Sequence, residues 1–99
     1  MPTSAEPPHS PADHLLDDVT QVVARVILEQ TGRSVRPAPD EPLIARRYLD
    51  RLALTSLALA LQDRFAVLFS QGDLEYGLGS IREIATRVKR LSDARSRSP

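Results

Sequence analysis

The chain contains no cysteine and no tryptophan. Without a thiol there is no disulfide framework, no thiolate zinc site and no catalytic Cys, a composition suited to a reducing compartment. No apolar run approaches the roughly 18–20 residues of a membrane span. The opening MPTSAEPPHS lacks the basic and apolar regions of a secretory leader. A cytoplasmic protein without membrane contact is expected. Aromatics are only 4% of the 99 residues, too sparse for a platform on which bases stack. A chain of this length buries about 60–65% of its unfolded surface. That allows one modest core, not two domains, and not a deep catalytic cavity with lids; no enzyme is expected.

Thirteen basic residues balance thirteen acidic ones, so net charge points to no polyanionic partner. The distribution is uneven. Residues 1–42 hold 7 acids and 3 bases (−4), and residues 43–99 hold 6 acids and 10 bases (+4). The basic side chains near the C-terminus, Arg82, Arg87, Lys89, Arg90, Arg95 and Arg97, read as a solvated helix face and tail; no nucleic-acid partner is expected.

Residues 1–9 hold three of the eight prolines and a single large apolar side chain, too little to offset ordering entropy, and read as a disordered tail. Ser10-Pro11-Ala12-Asp13 has the form of a helix start: a capping hydroxyl, a proline at the first helical position and an acid near the positive end of the dipole. Leu16, Val19, Val23, Val26 and Ile27 then recur at helical spacing, widened by Leu15 and Val22, and Gly32 stands where a left-handed C-terminal residue is wanted. Residues 33–42 hold three prolines and form an ordered loop. The stretch 50–69, DRLALTSLALALQDRFAVLF, is rich in strong helix formers. Its stripe is Leu54, Leu57, Ala58, Leu61, Phe65 and Leu68, with Asp50 as N-cap. Residues 70–79 contain three of the four glycines and admit a short helical turn over Asp73 to Tyr76. Ser80-Ile81-Arg82-Glu83 is a capping box before the stripe Ile81, Ile84, Ala85, Val88 and Leu91. The expected fold is all-α, a bundle of three main helices plus one short helix with a long first loop. One domain spans residues 10–92, followed by a basic flexible tail over 93–99.

Over about residues 12–92, this order of elements resembles the acyl carrier protein family. Residues 26–32, VILEQTG, resemble the end of that family's first helix, and Leu49-Asp50-Arg51-Leu52 its Leu-Asp-Ser-Leu signature. Residues 63–67, DRFAV, are similar to the Glu-Glu-Phe-Gly-Ile closing its second helix, and residues 79–84, GSIREI, to the start of its last. The resemblance implies a carrier-like module of a polyketide or fatty-acid-like biosynthetic system. In the family, the signature serine bears a 4'-phosphopantetheine arm whose thiol holds acyl groups. Here that position reads Arg51, flanked by Asp50 and Leu52. A second serine, Ser56, is the alternative attachment point.

Spacing separates the two. The family serine stands about fourteen positions before the phenylalanine closing the second helix and about twenty after the glycine closing the first; Arg51 lies 14 before Phe65 and 19 after Gly32, against 9 and 24 for Ser56. No Gly or Pro interrupts residues 50–55, so Ser56 is expected about one turn inside the helix. A guanidinium has no hydroxyl to esterify and stays protonated, so with Arg51 at the site no cofactor is expected. The alternative remains a working carrier with its arm on Ser56.

Arg51 also sits against the dipole of its helix. It is expected to pair with Asp50 or another acid, to be solvated, or to contact a partner's carboxylate or phosphate. In working carriers the second helix is acidic and meets basic patches on enzymes. The corresponding exposed positions here read Ala53, Ser56, Gln62 and Asp63, with Arg46, Arg47, Arg51 and Arg64 nearby. The implied partner, a biosynthetic enzyme or another carrier protein, would present acidic or apolar surface to Arg47, Arg51, Leu54 and Arg64. Otherwise these are a solvated face. His14 with Asp17 or Asp18 has the spacing of a two-point metal contact, but acids in a first helical turn serve the dipole. No metal site and no catalytic triple is expected.

Overall fold

The structure is a computed structural model that describes the backbone of residues 11–96 and the side chains of residues 14–94. Four helices and no strand occur among these residues: α1 (Pro11–Thr31), α2 (Arg51–Phe65), α3 (Gln71–Tyr76) and α4 (Ile81–Ser96). The all-helical bundle with one short helix and a long first loop is the architecture anticipated above. Ser10 and the 1–9 segment lie outside the described residues.

The long helices pack through their apolar stripes, with α1 in contact with both α2 and α4. Val19, Val23 and Ile27 from α1, Leu57 and Leu61 from α2, and Ile81 and Ile84 from α4 are fully buried. Such side chains contribute about 1.5–3 kcal/mol each relative to exposure, the main force closing the bundle. Gly32 ends α1 at φ +76, and its N–H donates to the Leu28 carbonyl. Only glycine adopts this left-handed conformation without a Cβ penalty.

The loop over residues 32–50 is held against the start of α4. Leu43, completely buried, donates its N–H to the Gly79 carbonyl at 2.9 Å and accepts from the N–H groups of Tyr48 and Leu49. Arg82 donates its N–H to the Pro39 carbonyl, and its Nε lies 2.6 Å from Asp40 Oδ1. The loop thereby satisfies an N–H of α4's first turn that helix geometry leaves unpaired. Arg47, at φ +60, takes the left-handed conformation at the turn leading to Tyr48 and Leu49.

Three details differ from the sequence expectation. Helix α2 stops at Phe65, because Ala66 turns left-handed (φ 56, ψ 44) and the Gln62 side chain accepts the Phe69 N–H. Leu68 consequently leaves the stripe and stands 81% exposed, while Phe69 is buried. Helix α4 continues through Ser96, past the boundary expected at residue 92, with Lys89 and Asp93 paired one turn apart at 3.0 Å. A reciprocal capping box also starts α3: Ser70 Oγ accepts from the Asp73 N–H, and Asp73 Oδ2 from the Ser70 N–H. At α4 the forward half is present, Ser80 Oγ accepting from the Glu83 N–H at 3.2 Å.

Candidate functional site

The first turn of α2 is set by Asp50. Its backbone is extended (φ −99, ψ 179) and its Oδ1 accepts from the Ala53 N–H at 2.8 Å, which makes Arg51 the first helical residue. Hydrogen bonding between the cap and the third helical N–H satisfies one of the donors a helix start leaves free. Arg51 is exposed, and among the described residues it makes no hydrogen bond or ion pair. The pairing with Asp50 raised by the sequence is not formed, since that carboxylate is engaged with the helix backbone. The cation thus stands free at the positive end of the α2 dipole, beside Leu52, which is 85% exposed.

Ser56 lies within α2, in its second turn, half-buried on the side toward α1, where its Oγ accepts from Gln30 Nε2 at 3.4 Å. Arg51 is presented where a helix start favours a phosphate but has no hydroxyl to esterify, whereas Ser56 has a hydroxyl and stands half-buried beside Gln30 of α1.

The candidate partner contacts do not form one patch. Arg47 and Arg51 flank the start of α2. Leu54, packed against the core and half-buried, lines a groove between α2 and α3 together with Arg51. Arg64 is at the other end of the helix; its Nη2 lies 3.5 Å from Asp18 of α1, and its guanidinium covers the Phe65 ring at 5.1 Å from the centroid. Arg64 therefore belongs to the α1–α2 contact. Phe65 is half-buried under it, not enclosed. Tyr48 packs against the core and donates its hydroxyl to Glu41, with Arg33 above its ring.

The face of α2 also differs from expectation. Ala53 is buried and Ser56 and Gln62 are half-buried, so only Asp63 of the four positions is fully outward. The outward residues are Arg51, Leu52, Thr55, Leu59, Asp63 and Arg64, the last reaching back to Asp18 of α1. Leu52 and Leu59 were missed because Leu and Ala occupy nearly every turn of this helix, leaving no polar side to contrast with an apolar one. At His14, Asp18 turns to Arg64, and no group of three or more His, Asp or Glu able to hold a metal occurs among the described residues. No helix there is long and apolar enough to cross a membrane.

Comparison with protein families, with curated proteins and with solved structures finds no match for this chain.

Proposed function

We propose that this protein is an acyl-carrier-like module of a polyketide or fatty-acid-like biosynthetic system that holds no phosphopantetheine arm. It acts in the cytoplasm by binding a biosynthetic enzyme or another carrier protein, and it catalyses nothing. The reading rests on the resemblance in residues 12–92 and on one observation: Asp50 caps α2, so Arg51 is the first residue of that helix. The family's signature serine would occupy this place. A guanidinium there docks and cannot be esterified.

Incubation of the protein with coenzyme A and a permissive phosphopantetheinyl transferase, followed by intact mass measurement, tests this. The wild-type chain is expected to gain no mass and Arg51→Ser one arm. An arm on Ser56 of the wild-type chain overturns the proposal in favour of a working carrier. An Arg51→Ser variant that folds and stays unmodified counts against the family reading.

A further inference from the structure

Among the described residues seven large apolar side chains are exposed, and six of them stand on or beside α2. Leu52 and Leu59 are on the helix, 85% and 61% exposed; Leu68 follows it, and Ile44, Leu74 and Tyr76 border it. Exposed apolar side chains gathered on one face mark a contact surface, whereas singly scattered ones are ordinary. Leu59 forms a ridge between two grooves. One is walled by Ala66 and Leu68, the other by Leu74 and Tyr76. The side of α2 away from the core runs Leu52, Thr55, Leu59, with half-buried Gln62 at its edge, and this three-four spacing is the one along which a second helix packs.

We infer that this face pairs with itself: α2 of one copy of the chain lies antiparallel to α2 of a second, across a two-fold axis level with Leu57. Residues equidistant from Leu57 face each other across such an axis. Arg51 and Asp63 are each six positions from it, Leu52 and Gln62 five, and Thr55 and Leu59 two. An antiparallel pair sets the Arg51 end of each helix beside the Asp63 end of the other and opposes the two helix dipoles. A parallel pair would set Arg51 against Arg51. The antiparallel arrangement brings the two Leu59 side chains within about one turn of each other, each ridge facing a groove of the other copy. Zero net charge leaves no overall repulsion between copies. This pairing does not depend on the carrier reading: an Arg51→Ser variant that accepts no arm leaves the apolar seam intact.

Sedimentation equilibrium of the full chain over rising concentration tests the inference. The mass is expected to climb from 10.9 kDa toward twice that value. Leu59→Glu should stay at the monomer mass at every concentration with unchanged helical circular dichroism, and Leu52→Glu should weaken association at least tenfold. If Leu59→Glu fails to fold, Leu52→Glu, at the most exposed of these positions, carries the test alone. Arg51→Asp should weaken association several-fold at low salt, and adding Asp63→Arg should restore it. A wild-type chain that remains at the monomer mass throughout overturns the inference and leaves this face to a different protein. A dimer indifferent to both glutamates also overturns it, placing the interface elsewhere.

Discussion

Arg87 Nη1 lies 2.9 Å from Asp73 Oδ1, tying α3 to α4. Asp73 is nearly buried, and the same carboxylate accepts from the Ser70 N–H at 2.9 Å, so one side chain both caps the short helix and anchors it. A six-residue helix is too short to be stable alone. Its place depends on this contact.

The Asp73 carboxyl titrates below its ordinary 3.8. The Ser70 backbone N–H is the largest cause; burial opposes it, and the Ser70 hydroxyl and Arg87 add to the lowering. A carboxylate whose folded pKa is depressed contributes stability above its unfolded pKa, and this is lost as pH falls through the folded value. Urea unfolding from about pH 5 to about pH 2 should show stability falling with acid. Asp73→Asn should be less stable than wild type near neutrality and show a shallower fall below about pH 4. Parallel curves for the two proteins would refute this account of the contact.

Gly77 matters for room. Its φ of −102 suits any residue, but a Cβ there would stand 2.8 Å from the Asp73 carbonyl oxygen and 2.9 Å from the Arg87 side chain. The arginine can move, but the backbone oxygen cannot move freely. Gly77→Ala should cost about 1–3 kcal/mol. Gly72→Ala meets nothing closer than 3.9 Å within α3 and should stabilise by about 0.5–1 kcal/mol. Opposite signs in chemical denaturation are the outcome sought.

Leu43 pins the loop. Leu43→Ala removes a fully buried side chain and should cost about 2–5 kcal/mol, whereas Ile44→Ala, 41% exposed beside it, should cost far less. Hydrogen exchange provides the second measurement. Protection of the Leu43 and Tyr48 amides, which bond Gly79 and Leu43 carbonyls, should fall in Leu43→Ala before that of α1.

The capping chemistry of α2 was legible because it is local: Asp50, followed by strong helix formers without Gly or Pro, needs only its neighbours to start a helix. Both capping serines, Ser70 and Ser80, obey the same chemistry. The box at Ser70 was passed over because its third-position acid is an Asp in a segment dense with glycine, which lowers helix propensity. The end of α2 carried no signal. Ala66 is an unusual left-handed residue, and the Gln62 side chain that receives the Phe69 N–H acts across seven positions.

Residue order alone determined that the chain forms helices, where α1 and α2 stop and start at Gly32 and Asp50, and that residue 51 is a fixed cation. Each follows from spacing, propensity and side-chain chemistry within about one helical turn. Tertiary structure decided which side of the evenly apolar α2 faces outward, that Leu52, Leu59 and Leu68 reach solvent while Ala53 does not, and that Arg64 turns to α1. Those outcomes depend on packing between segments far apart in the chain, where the position of one helix against another, and not the composition of either, selects the buried face.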